Sequence, residues 1–461
     1  MTVLPAVRGQ FPALREEAGR IAPAYLDSAC MSLTPEPVLE AMQEYYRDYP
    51  GCAGRSLHRF AEEVGSRYES AREAFSRFLQ APVDGVVFLR NATEAINLVA
   101  QGLDWKSGER VLISDQEHNS NLVVWQRLSQ ERGIRIDVLP LPEGGGFDSQ
   151  ALEARLDRGV RLVSLFHTSN LDGRTLPARE IVELAHARGA EVLLDGCQAA
   201  PHQSVNLERL EVDYYALSGH KMLGPTGTGV LAGRPEALAS LRPLLVGGET
   251  VEWTTLSDHK LKPVPHRLEA GLQNYAGVLG AHAAITFLDH VGLDAVAEHD
   301  RALNRRASSA LADEPRVHLL GPHDAADRPS ILAFHIDGID PHDAALFLDA
   351  GHDVLVRSGR HCVHSWYDAR GLDGNVRASF YLYNNDDDLD RLIAGVRELL
   401  ERIPPQRQTR ASGTSGSRSA GSGRRAASPP RAAGSTGAVA RSARLRGRAA
   451  PGRGASAIGS D

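Results

Sequence analysis

Two short stretches hold the residue types that could do covalent chemistry. The first is Ser218-Gly219-His220-Lys221, which follows the apolar run Tyr214-Tyr215-Ala216-Leu217 and precedes a turn carrying Gly224, Pro225, Gly227 and Gly229. A lysine set between a buried strand and a glycine-rich turn is expected to feel burial, which favours the neutral amine. A neutral amine is what a Schiff base with an aldehyde cofactor requires. Most loop lysines are simply solvated, so the rest of the chain has to supply the setting. The second stretch is Arg357-Ser358-Gly359-Arg360-His361-Cys362-Val363-His364. The thiolate is the reactive form of cysteine, and neighbouring cations lower a thiol's pKa. Cys362 has Arg360, His361 and His364 within two residues, a setting too polar for an inert core thiol. Cys30 and Cys52 lack such neighbours, and Cys197, beside Gln198, reads as structural.

The elements that must position these residues are legible as alternating apolar and helical segments. Strand patterns fall at Val86 to Leu89, Arg110 to Ile113, Ile134 to Leu139, Leu162 to Phe166, Val192 to Leu194 and Tyr214 to Leu217. Helical patterns lie between them, one opening at Thr93 and one running from about Asn119 to Arg132. This alternation predicts an α/β fold with a mostly parallel sheet covered on both faces. Ligands of such sheets bind beyond the carboxyl ends of the strands. Those ends carry Asn91 and Thr93, Asp115 and His118, His167 and Asn170, Asp195 and Gln198, and Ser218 with His220 and Lys221. Independent structural residues would not gather on one edge so consistently. Beyond Gly247-Gly248-Glu249 the pattern loosens into a loop. A helix from about Tyr275 to Val291 then leads to a smaller C-terminal α+β unit, with strands at Ile331 to Ile336, Val354 to Val356 and Val376 to Phe380. Helices are expected there over Asp294 to Ala312, Pro341 to Ala350 and Asp386 to Arg402. The expected division is an N-terminal arm over 1–25 with a short helix from Ala13 to Ile21, a large domain over 26–290, a small domain over 291–403 carrying the Cys362 loop, and a tail over 404–461.

Composition bounds the reading further. The 461 residues are 42% hydrophobic and 24% charged, ordinary for a globular protein. No apolar run approaches the ~18 residues of a membrane helix, and no basic stretch followed by an apolar core marks a secretory signal. Four cysteines with no CxxC pair argue against a disulfide framework, and the His and Cys residues show no metal spacing. A cytoplasmic protein with reduced thiols is expected. The net charge of −7 has two parts: from Pro405 onward eleven arginines face the single acid Asp461, a charge of +10 that leaves −17 on the rest. The acidic body argues against nucleic acid as a partner. The Ser/Gly/Ala/Pro/Arg-rich tail is read as a solvated appendage with too little apolar surface to fold.

With Gly-Pro-Thr-Gly after it, Ser-Gly-His-Lys resembles the cofactor-lysine segment of class V aminotransferase-type pyridoxal phosphate enzymes. Within that group the chain is most similar to cysteine desulfurases of the SufS type, the selenocysteine lyase group, from about Tyr25 to Leu400. The resemblance implies fold type I, with a seven-stranded sheet in the large domain, and a homodimer. It makes Lys221 the cofactor lysine. Asp195, in Asp-Gly-Cys-Gln where the family has Asp-Gly-Ala-Gln, would face the pyridinium nitrogen. Gln198 would bond the phenolic oxygen with Asn170 beside it, and His118, in Glu-His-Asn-Ser-Asn, would stack on the ring and count among the catalytic residues. Asn91-Ala92-Thr93-Glu94-Ala95 matches the phosphate-binding motif, so Ala92 and Thr93 at a helix N-terminus, with Ser218 and His220, would hold the phosphate. Arg377, in Val-Arg-Ala-Ser, would grip the substrate carboxylate, with Arg357, Asn170 and Arg55 (in Gly-Arg-Ser-Leu-His-Arg) supporting it.

The implied reaction converts L-cysteine to L-alanine, leaving a persulfide on Cys362 for an acceptor protein or a small-molecule thiol. Departures are specific. Ser28 and Cys30 replace the usual Asn and Ala of Tyr-Leu-Asp-Asn-Ala-Ala. Arg360 replaces the first His of Arg-Thr-Gly-His-His-Cys, and Val-His-Ser-Trp follows Cys362. Leu272 stands where many relatives have a Thr that reaches a cross-subunit phosphate, with Gln273 as a substitute donor. Other chemistry of the same class stays open on these grounds: a cysteine or cystine C–S lyase, a selenocysteine lyase, an epimerase or a transaminase.

Overall fold

The computed structural model describes Leu4 and residues 7–16, 21–157 and 159–404, so the arginine-rich tail lies outside the described residues. The long apolar runs form one seven-stranded sheet. In space its strands lie in the order Val86–Leu89, Gly229–Gly233, Tyr214–Ser218, Glu191–Asp195, Val160–Phe166, Arg110–Ser114, Arg135–Leu139. Every pairing is parallel except the two made by Gly229–Gly233. Side chains alternate across a strand, and both faces are apolar here: Tyr215 and Leu217 enter one core, Tyr214 and Ala216 the other. That double coverage is why the strands read as unbroken apolar runs.

A second sheet is fully antiparallel, in the order Val317–Leu320, Ile331–Ile336, Asn375–Ser379, Arg357–Gly359. Its core includes Ala24 and Leu26, because the two-residue strand Ala24–Tyr25 pairs with Val354–Leu355. Two register facts matter for the site. Arg357 stands directly opposite Arg377, and Asp27 forms an isolated bridge to Ser379.

Three expectations need correction. The stretch after Glu249 is not all loop but a hairpin, Val251–Thr254 with His259–Leu261. Its residues are mostly exposed, so no apolar alternation marks it. Strand Val317–Leu320 was not expected either, since only Val317 is buried in it. The helix expected from Ala13 to Ile21 is, in its described part, a short 3-10 turn at Pro12–Leu14, with Arg15, Glu16 and Ile21 outside any helix. Residues 17–20 of that stretch lie outside the described residues. Among the described residues no single helix is long and apolar enough to cross a membrane.

The long helix Arg59–Leu79 is locked to the segment after the hairpin through Glu269. This carboxylate accepts two bonds from Arg72 (2.7 and 3.0 Å), one from the Tyr68 hydroxyl (3.1 Å) and one from the Phe88 amide (2.7 Å). Arg72 is 1% and Glu269 4% exposed. Removing one partner of such a pair strands the other charge in the interior, at a cost of ~3–5 kcal/mol. Glu269→Ala is therefore expected to lower the urea unfolding midpoint of the protein sharply. Glu63→Ala, which removes a solvent-exposed partner of Arg67, should cost less than about 1 kcal/mol. Equal, small shifts for both would show that the buried pair does not hold this helix.

Candidate active site

The carboxyl edge of the seven-stranded sheet is where the polar residues converge. The helix Ala92–Gly102 begins just past the strand Val86–Leu89, capped by Asn91 Oδ1, which accepts from the Glu94 amide at 3.0 Å. The Ala92 amide donates to Ser218 Oγ (2.9 Å), joining the helix start to the strand that leads into Lys221. Thr93 Oγ1 meets Ser120 Oγ at 2.7 Å, and Ser120 Oγ lies 3.0 Å from His118 Nδ1. Ala92, Thr93, His118 and Ser218 thus belong to one edge, at a helix start whose positive dipole end suits an anion. Two glycines allow the close packing. A Cβ on Gly219 would stand 2.2 Å from Thr228 Oγ1, and one on Gly196 would stand 2.1 Å from the Tyr215 ring.

Asp195 is the last residue of its strand and is 9% exposed. Its carboxylate accepts the Cys197 amide at 3.1 Å and has no salt-bridge partner among the described residues. Lys221 ends the turn Gly219–Lys221, half-buried, with no hydrogen bond or ion pair among the described residues. An unpaired acid and an unpaired amine on one sheet edge are what a cofactor with a cationic ring and an aldehyde needs, so the residues present fit pyridoxal phosphate. Burial, reinforced by Lys221 and opposed by Asp195, lowers His118 to about 4, so the ring is neutral at physiological pH. Its loop is pinned from below by Glu117, whose buried carboxyl accepts from Ser114 Oγ (2.6 Å), Asn121 Nδ2 (2.8 Å) and the Phe166 amide (3.2 Å). Burial also pushes the Cys197 thiol up to about 12, with Asp195 adding to it, which keeps that cysteine inert.

The Arg357–His364 stretch meets this edge from the second sheet. Asn170 Nδ2 donates to the His361 carbonyl at 2.7 Å, and Arg377 donates to the Asn170 carbonyl at 2.8 Å. Arg377 is 1% exposed and also pairs with Asp27 at 3.3 Å, while its Nε is buried without a partner. Like charges directly opposite on antiparallel strands are unfavourable. Arg357 and Arg377 nevertheless stand so, and among the described residues Asp27 is the carboxylate that acts on both. Burial holds Asp27 above its usual range despite both guanidiniums, and burial, with Arg357, holds Arg377 below its own. Two cations against one carboxylate leave this corner with net positive charge, and the Arg377 Nε is buried there without a partner.

Cys362 is half-buried, with φ of +60° after His361 at +47°. Left-handed conformations cost a non-glycine residue of order 1 kcal/mol and gather at functional sites. The Asn119 amide holds the Cys362 carbonyl at 2.7 Å, and Asn119 Nδ2 meets His364 Nδ1 at 2.8 Å. The cation that reaches the sulfur is not among the sequence neighbours expected to do so. Arg360 pairs with Asp368 at 2.5 Å. His361 faces Asn375, and burial lowers it to about 2, so it is neutral. Arg357 instead donates to Cys362 Sγ at 3.5 Å.

The other expected residues are placed as follows. Gln198 Nε2 donates to the Ala29 carbonyl (2.8 Å), and the His220 carbonyl accepts from the Ser32 amide and hydroxyl (2.9 and 3.1 Å). These bonds bring the segment Asp27–Ser32 over the site, and with it Asp27, whose partner Arg377 lies 350 positions away and is invisible to spacing. Arg55 is not joined to this group: it pairs with Glu249 on an exposed loop. Gln273 spends its amide on the Glu269 and Gly271 carbonyls (2.9 and 3.2 Å), and Leu272 beside it is exposed. Away from the edge, His318, His335 and Asp337 converge across two strands with donor types that could hold a metal, a grouping that spacing along the chain did not reveal. Asp337 is engaged by His318 at 2.9 Å.

Known proteins resemble the chain as a whole. A probable cysteine desulfurase of Halobacterium salinarum is 37% identical over 405 residues, 87% of this chain and 97% of that protein. The solved cysteine desulfurase of Thermococcus onnurineus is 34% identical, with a TM-score of 0.83 over 87% of this chain and 99% of that one. The Escherichia coli cysteine desulfurase CsdA, solved in an S-sulfonic acid form, is 35% identical, with a TM-score of 0.79 over 86% of this chain and 98% of that one. The model of the aminotransferase class-V family matches residues 24–392. A sheet edge that gathers Asp195, Lys221 and the start of the Thr93 helix beneath a loop presenting Cys362 thus sits in a chain that belongs to the aminotransferase class-V family.

Proposed function

We infer that the protein is a pyridoxal phosphate-dependent cysteine desulfurase. The observation that carries the reading is a half-buried thiol facing one guanidinium, opposite a buried arginine with an unspent Nε. When bound, pyridoxal phosphate supplies an electron sink that labilises the α-proton of the substrate and then its carbon–sulfur bond. Ala92, Thr93, Ser218 and His220 would hold its phosphate. Asp195 would balance the ring's positive charge, neutral His118 would offer an uncharged aromatic face, and Gln198 would bond the ring oxygen. Lys221 would anchor the cofactor, and its amine would move the α-proton. Arg377 takes the L-cysteine carboxylate with its planar fork, Asn170 beside it. Cys362 thiolate attacks the substrate sulfur: an S–S bond forms, the C–S bond breaks, and its electron pair stays on carbon. Protonation gives L-alanine, and the sulfane sulfur passes to an acceptor protein or a small thiol.

The reading extends to a large domain over 26–290 and a small one over 291–403, in a cytoplasmic homodimer with neither membrane nor nucleic acid as partner. Exposed Leu244, Leu245, Val246 and Leu272 supply an apolar surface of the kind that marks an interface. Four free thiols accord with a reducing compartment. Incubation of the cofactor-loaded protein with L-cysteine should yield alanine and protein-bound persulfide in equal amounts. Pyruvate, ammonia and sulfide as main products would establish a C–S lyase instead, and strong preference for L-selenocysteine a selenocysteine lyase.

A further inference from the structure

We propose that His318, His335 and Asp337 form a binding site for one divalent transition-metal ion of the zinc class. The site shares no residue with the Lys221 edge, so it does not rest on the desulfurase reading. Strand register brings the three residues together. Val317–Leu320 is an edge strand of the antiparallel sheet, and its His318 lies directly opposite His335 of the strand Ile331–Ile336. Side chains two positions apart on a strand share a face. Asp337 therefore follows His335 on that face, and its amide continues the ladder by donating to the Arg316 carbonyl at 2.9 Å. The opposite face of the same two strands sends Val317, Phe334 and Ile336 into the core. Two imidazoles and a carboxylate are thus left together on the outer face, His335 half-buried and the other two exposed.

The donor atoms of the three side chains lie within 4.8 Å of one another. His318 Nε2 is 2.9 Å from Asp337 Oδ2, and the two imidazole rings stack with centroids 4.6 Å apart and planes 22° apart. Zinc holds nitrogen and oxygen at about 2.0–2.2 Å, so two ligands at a tetrahedral angle stand roughly 3.3 Å apart. The His318–Asp337 pair then opens by about 0.4 Å and His335 closes by at most about 1.5 Å, movements that side-chain rotation supplies on a fixed strand pair. An ion pair with a histidine stacked beside it would leave two features unused. The His335 imidazole has no hydrogen bond or ion pair among the described residues, and two imidazoles face to face cannot both be protonated without repulsion. A shared cation uses both ring lone pairs, and the proton between His318 and Asp337 leaves to solvent. Imidazoles with one carboxylate suit zinc, copper or nickel, whereas magnesium and calcium take oxygen ligands. Arg316 does not compete for the carboxylate, because its guanidinium donates to the carbonyls of Asp337 (2.8 Å) and Leu400 (3.2 Å). Three protein ligands leave a further position for water. His335 also lines a cleft of about 430 Å³ with Trp366 and Arg370, from the helix His364–Arg370 that follows Cys362, so the ion would border that cleft.

The test dialyses the cofactor-loaded protein against buffered micromolar zinc and counts the metal held per chain. The native protein should take up one equivalent that His318→Gln, His335→Gln and Asp337→Asn each bind on the order of a hundredfold more weakly, since losing even an outer partner of a ligand costs tenfold to a hundredfold. Magnesium in large excess should leave that equivalent in place. Cys362→Ser should retain it, because the thiol is not a ligand. The side chains of His318 and Asp337 are 45% and 58% exposed, so His318→Gln and Asp337→Asn should melt with the native protein in the absence of metal. Zinc should then raise the melting temperature of the native protein and not of these two variants, which separates lost binding from lost folding. Failure of the native protein to take up zinc overturns the site, as does equal uptake by the native protein and the three variants. Zinc that is lost in Cys362→Ser and kept in His318→Gln sits on the thiol and overturns it too. Displacement by magnesium overturns the zinc class.

Discussion

Lys221→Ala, purified with pyridoxal phosphate, is expected to lack the visible absorption of a lysine-linked cofactor and to lose turnover on the order of a thousandfold, within the range of a positioned general base. The expectation follows from where Lys221 sits. It ends a turn tied to the sheet edge, and no carboxylate or carbonyl competes for its amine among the described residues. A solvated surface lysine would be replaceable; this one also acts on His118, His220 and Cys197, so it lies at the centre of the group. The proposed phosphate-side residues Ala92, Thr93 and Ser218 are untouched by the substitution, so the variant should still bind cofactor reversibly, as equilibrium dialysis would read. Added methylamine offers a further check, since a small amine can take up the vacated role. Full colour in the variant, surviving borohydride reduction, would show that another lysine is the anchor.

How much of this was legible in the sequence depends on the range over which each contact acts. The sheet and its polar edge were readable because most strands are buried on both faces, and because Asp195 and Ser218 follow directly on an apolar run, with Asn91 and His118 a few residues past theirs. The polar edge is built from local strand-to-helix turns, so spacing carried it. The environment of Cys362 was not readable in the same way. Its immediate neighbours Arg360 and His361 turn to Asp368 and Asn375, whereas Arg357 reaches the sulfur because a left-handed pair at His361 and Cys362 folds the chain back. Asp27 and Ala29 enter through hydrogen bonds with Gln198, Ser379 and Arg377, 169 to 350 positions away. The hairpin after Glu249 escaped notice for a different reason: its strands bury almost nothing, so no periodicity marks them.

Cys362→Ser separates binding from sulfur transfer. On the proposed reading Arg377 would take the substrate carboxylate; its anchors are the Asn170 carbonyl and Asp27, and neither depends on the thiol. Substrate affinity, followed by the spectral change of the bound cofactor on adding L-cysteine, should therefore stay within a few-fold of native. Alanine and persulfide formation should fall to the background of the assay. A serine hydroxyl beside the Arg357 guanidinium is still essentially un-ionised at neutral pH, so it cannot take the sulfur in the way a thiolate does. The strained backbone at Cys362 is a property of the loop and its hold on Asn119, so the variant should keep the loop in place. Loss of activity would then report the chemistry of the sulfur alone. Arg357→Met supplies the comparison, since it keeps the thiol and removes the cation that faces it. It should retain persulfide formation at a rate lowered on the order of tenfold to a hundredfold, the equivalent of about 1.4 to 2.7 kcal/mol in the barrier. Substantial alanine and transferable sulfur from Cys362→Ser would sink the persulfide mechanism. Continued release of pyruvate, ammonia and sulfide would identify an enzyme that eliminates sulfur without any thiol of its own.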